Sequence, residues 1–167
     1  MRPIYLSAIV FMFCINGVVS QTKVNDPKLD EFAIFFISAL QSKDINNLLA
    51  LKPTPIIWRA ALPEETQSLT DDQLLNQVNN SEKFITDFNN IMESAKKSKI
   101  NLDDLYYIGA LYGENAVENK LLGISLKYEY KGKEIIFAVS LLRYNSNFYL
   151  SEILMSYDIF SRNYLGK

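Results

Sequence analysis

LGISLKYEYKGKEIIFAVSLLRYNSNFYLSEILMSY, residues 122–157, is the stretch that decides the fold. Leu122, Ile124, Leu126, Tyr128 and Tyr130 alternate with Gly123, Ser125, Lys127 and Glu129, the period of a strand with one wet face. Lys131-Gly132 supplies a tight turn, and Ile135 to Leu142 is apolar at both parities, which predicts a strand covered on both faces. Tyr144-Asn145-Ser146-Asn147 turns the chain again into Phe148 to Tyr157. With Leu105 to Tyr112 added upstream, the reading is a four-stranded antiparallel meander.

The preceding half has helical period. Asp26-Pro27 is a helix start, with Asp26 as N-cap and Pro27 where a missing N–H costs nothing. Leu29, Phe32, Ala33, Phe36, Ile37 and Leu40 then form one apolar stripe. A short second helix is expected over Ile45 to Leu51, after which Pro53 and Pro55 end helical structure. Residues 52–70, which contain the only tryptophan, Trp58, form a connection long enough to be functional or to cover something. Thr70 and Gln73 make a capping box. A further helix is predicted from about Ser81 to Lys97, burying Phe84, Ile85, Phe88, Ile91, Met92 and Ala95. Helices first and strands second define an α+β class: N-terminal helices packed on a curved, cone-like meander.

The chain begins with what reads as a signal peptide, residues 1–20. Arg2 is the positive start, Ile4 to Ile15 the apolar region, and Val18-Val19-Ser20 a cleavage site before Gln21. Residues 21–26 are then a short tail, and 27–167 a single domain. The apolar run falls short of the roughly 18 to 20 residues of a membrane span, so no membrane association is expected after cleavage. The sole cysteine, Cys14, lies inside this segment behind the bulky Met12 and Phe13, which disfavours a lipoprotein anchor. The expected location is secreted or periplasmic. An excess of Asn, Lys, Ile and Tyr suggests an AT-rich, bacterial source.

The mature chain of about 147 residues is large enough to bury roughly two thirds of its unfolded surface without disulfides. Sixteen basic against nineteen acidic residues remain after cleavage, and the basic ones are scattered, so nucleic acid is not an expected partner.

The chain has no histidine and, once cleaved, no cysteine. A histidine-assisted triad and a thiolate nucleophile are therefore excluded, and zinc, copper and iron sites lose their usual ligands. Glu64-Glu65, Asp71-Asp72 and Asp103-Asp104 lack calcium-loop spacing, and no glycine-rich phosphate loop occurs. No metal or cofactor is expected. Ser94-Ala95-Lys96-Lys97 matches S-x-x-K without the companion elements of the enzymes that use it.

Carboxylate and tyrosine chemistry remains. Glu152 shares the parity of Leu150 and Leu154, which would aim it at an apolar interior or a shared sheet face, and it is the candidate general base. Trp58, Tyr107, Tyr128 and Tyr130 are candidates to line an apolar pocket.

A long N-terminal helix carrying Phe36-Ile37-Ser38-Ala39-Leu40-Gln41-Ser42-Lys43-Asp44, further helices and a terminal meander resembles the cystatin-like cone of the NTF2-like superfamily. The likeness covers residues 27–160. It implies either a binding and dimerisation module or an enzyme like the ketosteroid isomerase-like and SnoaL-like members. No acid of this chain matches a catalytic position of those enzymes, so no catalytic role is carried over. The leading expectation is a non-catalytic domain, as a homodimer, that binds an apolar small molecule or a protein through its curved sheet. The alternative is a cofactor-free isomerase or lyase acting by proton transfer, with Glu152 as base and a tyrosine as electrophile.

Overall fold

A computed structural model describes residues 22–23, 26–78, 81–112 and 120–160. The signal-peptide assignment and Cys14 lie outside the described residues. The fold is α+β: helices packed against an open antiparallel sheet, as expected. Strands β2 (Tyr106–Tyr112), β3 (Leu121–Tyr130), β4 (Lys133–Tyr144) and β5 (Asn147–Ile153) form the meander. A two-residue strand, β1 (Thr22–Lys23), joins its edge against Leu111 and Tyr112, so the segment read as a tail is instead partly sheet.

Helix α1 (Pro27–Gln41) starts at Asp26, whose carboxylate accepts the Lys28 and Leu29 N–H groups. All six residues of its expected stripe are buried against the sheet. Helix α2 (Ile45–Leu49) and helix α6 (Ser81–Lys97) complete that layer. Ile85 of α6 was expected inside and is exposed, because the buried face is the narrower arc of Phe84, Phe88, Ile91 and Ala95. Ile135, Phe137, Val139 and Leu141 supply the sheet's side of this core, and Phe137 meets Phe36, Tyr128 and Phe160 edge-on at 5.5–5.8 Å.

The other parity of β4 has a different cover. Leu141 belongs to the main core, and its neighbour Leu142 faces the opposite side of the sheet. There Leu142 packs with Trp58, Ala61, Leu62 and Leu74. These come from α3 (Pro55–Ala61), the loop beyond it and α5 (Asp71–Val78), with the single turn α4 (Pro63–Thr66) between. The connection that the sequence left open is thus a helical cap on one end of the outer face. At that end the burial demanded by a doubly apolar strand is met within one chain.

The cap is fastened by Arg59, which donates to the Thr66 and Leu69 carbonyls and pairs with Asp71 at 2.8 Å. The Thr70–Gln73 capping box forms as read. Toward the other end of the sheet, the outer face carries the Lys127–Glu134 ion pair at 2.9 Å with half-buried Ile136 and Ala138.

Candidate functional site

The four aromatic candidates do not share a cavity. Tyr128 is fully buried between Tyr107 and Phe137, and its hydroxyl donates to the Ala33 carbonyl at 2.7 Å. Burial first, and then Tyr107, push its ionisation well above the ordinary tyrosine value. Tyr107 donates to Asp30 Oδ1 at 2.6 Å, and Tyr130 reaches the Lys99 carbonyl at 3.5 Å. All three hydroxyls thus tie the sheet to the helical layer and its following turn. Trp58 lies across the sheet in the cap, 3 % exposed, with Nε1 lacking a hydrogen-bond partner.

Glu152 points elsewhere than its parity suggested. Leu150 pairs with Leu141, and Glu152 pairs with the very next residue of β4, Ser140, so Ser151 is an extra residue in β5. This bulge reverses the alternation, placing Ile153 rather than Glu152 in the core beyond Leu150. Glu152 turns to the β5 edge and meets Lys83 at 3.2 Å.

Lys83 organises a polar cluster that sequence reading missed. Its ammonium also contacts Asp87 Oδ2 at 2.8 Å and the Ile153 carbonyl at 3.3 Å. Asp87 is buried and accepts the Ser156 hydroxyl at 2.6 Å, while Asn90 donates to that hydroxyl at 3.4 Å. Burial opposes the charge on Lys83, but Asp87 and Glu152 together outweigh it and raise the lysine above its usual range.

Beside this cluster lies Lys52, 9 % exposed, with Nζ 3.6 Å above the Phe84 ring centroid. Desolvation, and then the charge on Lys83, lower it to about 8. Its position follows from the chain path: the Leu51 carbonyl accepts from Leu150 N–H at 2.8 Å, so residues 51–54 cross the β5 edge from the inner layer to the cap. The i, i+4 spacing of Lys83 and Asp87 was visible in the sequence, but the arrival of Lys52 depends on that crossing and that of Glu152 on the bulge at Ser151.

Ser94 and Lys97 do not form a catalytic pair: Ser94 Oγ accepts the buried Phe160 N–H at 3.1 Å, and Lys97 reaches back to Glu93 at 3.1 Å.

A groove opens on the near side of the same edge. Lys28, Glu31, Phe32 and Phe35 of α1, Ala50 and Leu51 after α2, and Asn147, Phe148 and Tyr149 of β5 line about 350 Å³. Phe32 and Phe148 are its buried floor, whereas Phe35 is 54 % exposed on its rim. Lys28 and Glu31 pair at 2.8 Å beside it. This arrangement offers an apolar contact with a polar margin. Among the described residues no group of His, Cys, Asp or Glu could hold a metal, and no helix is long and apolar enough to cross a membrane. No protein-family model, curated protein or solved structure matches this chain.

Proposed function

We propose that this chain is a secreted or periplasmic, non-catalytic binding domain of NTF2-like type that takes an apolar side chain of a protein partner into the α1–β5 groove. The observation that carries this reading is Phe35, exposed on the rim above a floor of Phe32, Leu51 and Phe148. A large aromatic 54 % exposed in that position gives a partner side chain a surface to pack against. The groove is open, whereas pockets for small ligands enclose most of their occupant. A peptide or protein segment with one or two anchors suits it better. The cofactor-free enzyme reading has less support, because Glu152 is ion-paired with Lys83 and the tyrosine hydroxyls are engaged within the fold.

Selection from a random peptide library, followed by amide chemical-shift mapping, tests the proposal. Selected peptides should share an aromatic or aliphatic anchor, shift the amides of Phe35, Leu51 and Phe148, and lose at least about tenfold in affinity against Phe35→Ser. Shifts confined to the outer sheet face, or undiminished binding by the variant, would overturn it. A retained small molecule in native mass spectra, with the same amides displaced, would replace the protein partner by a small ligand.

A further inference from the structure

Resting on the α1–β5 groove as the binding site, we propose that its occupant is an extended peptide segment whose main chain pairs with Phe148 at the open edge of β5. Backbone and anchor side chain are then held at one position. The hairpin between β4 and β5 sets the geometry. Asn145 and Ser146, at φ 48° and 63°, make its two-residue turn, and such a turn is closed by a hydrogen-bonded pair, here Tyr144 with Asn147. Antiparallel pairs alternate between bonded and non-bonded, so Arg143–Phe148 is non-bonded, Leu142–Tyr149 bonded and Leu141–Leu150 non-bonded. Two further bonds fix this phase. The Arg143 N–H turns away from β5 to the Lys120 carbonyl at 2.7 Å, and the Leu150 N–H turns away from β4 to the Leu51 carbonyl at 2.8 Å.

Phe148 shares the phase of Leu150, and β5 is the last strand of the sheet, so the Phe148 N–H and carbonyl leave the sheet at its edge. Leu150 gives its N–H to Leu51, whereas among the described residues no hydrogen bond from outside the sheet reaches either group of Phe148. Phe148 and Leu51 both line the groove, so this donor and acceptor stand at its wall. An extended main chain offers the matching acceptor and donor, and strand addition to an open edge is a general mode of peptide recognition.

The same geometry places the anchor. Residues directly opposite in an antiparallel pair project their side chains to one face of the sheet. Phe148 sends its ring to the core side, where with Phe32 it makes the floor under Phe35, so the partner residue opposite it projects into the groove. With one edge residue open, antiparallel pairing lets a single partner residue both donate to Phe148 and accept from it. The paired stretch is short. The turn bounds it at Asn147, and Leu51 already occupies the edge at Leu150, which leaves register only opposite Asn147, Phe148 and Tyr149. The partner is therefore an extended loop or chain end with a central apolar anchor.

Short peptides selected from the random library by the full chain are resynthesised with a single N-methyl group at each position in turn, which removes one N–H and keeps every side chain. N-Methylation of the anchor residue should weaken binding at least about tenfold, because the Phe148 carbonyl loses its bond and meets a methyl group instead. N-Methylation of either neighbour, whose N–H points away from β5, should cost less than about threefold. The Phe148 amide proton should exchange at least about tenfold more slowly in the complex, while that of Tyr149, bonded to β4, should be slow in the free protein already. An anchor methyl that is tolerated while Phe35→Ser still weakens binding overturns the strand pairing and leaves the groove as the site. Binding that neither change weakens overturns both. Equal losses at successive positions, the mark of a helical occupant, or an unchanged exchange rate at Phe148 also overturn the pairing.

Discussion

Lys83 of α6 and Glu152 of β5 are joined by a 3.2 Å ion pair across the sheet edge, and this contact exists because the bulge at Ser151 turns Glu152 out of the core. The pair is half-wet, with both side chains roughly two fifths exposed. Its Asp87 neighbour is buried and accepts both the Lys83 ammonium and the Ser156 hydroxyl. Of these two ion pairs of the same lysine, the one with Glu152 is therefore the weaker and the one with Asp87 the stronger.

That contrast fixes the first prediction. Glu152→Gln should change stability by less than about 1 kcal/mol, the range of exposed ion pairs. Asp87→Asn should cost about 2–3 kcal/mol, because it removes a buried charge from two charge-assisted hydrogen bonds. Urea midpoints at pH 7 measure both. Lys83 is raised in the folded state, so its contribution is fully present below the unfolded value of 10.5 and is lost only as pH rises through the higher folded value. Equal losses for the two variants would show that the edge pair is as strong as the buried one.

Lys52 has the opposite sign. Its folded value, about 8, lies below the unfolded 10.5, so the unfolded chain binds more protons between them and this lysine makes stability rise with pH across that window. Lys52→Met should abolish that rise. At pH 7 the variant should be more stable by about 1–2 kcal/mol, a part of the shift being offset by the lost contact with Phe84. The advantage should close toward pH 10. Parallel pH–stability curves for the two proteins would refute the assignment of the window to Lys52.

Strand and helix periods were legible because local alternation and the buried side agree along α1, β3 and most of β4. They failed where a residue breaks the count. Glu152 was misplaced because a bulge is a property of two strands, and Ser151 carries no local mark of being the extra residue. The double apolarity of Ile135 to Leu142 correctly required cover on both faces at its Leu142 end. That the cover is the 55–78 cap follows from the crossing at Leu51, which no single-residue preference encodes. Tyr128 shows a different limit. Its alternation placed it on the core face, but not the Ala33 carbonyl that makes it a structural tie rather than a pocket wall.

Tyr128→Phe isolates that tie. The hydroxyl is fully buried, and its removal leaves the Ala33 carbonyl with only its helical partner, so a loss of about 1–1.5 kcal/mol is expected with packing otherwise intact. Chemical denaturation supplies the number. If the variant binds groove-selected peptides with unchanged affinity, Tyr128 acts in folding alone; a parallel loss of affinity would bring it into the site.

Trp58 gives the most direct view of the cap, since it is the only tryptophan and sits in a cluster separate from the main core. Its indole is buried without a hydrogen-bond partner, so its emission should be blue-shifted in the native protein. The cap's contact with the sheet centres on Leu142, flanked by half-buried Leu121, Tyr144 and Tyr149, and is far smaller than the α1–sheet core. Segments with fewer apolar contacts open at lower free energy. In a urea titration the red shift of Trp58 should therefore precede the loss of far-ultraviolet ellipticity. Trp58→Phe should cost less than the roughly 3–5 kcal/mol of a large aromatic truncated to alanine, because the ring is largely kept and an unsatisfied donor disappears. Coincident fluorescence and ellipticity transitions would mean that the cap and the sheet unfold as one unit, with the Arg59 contacts holding it to the end.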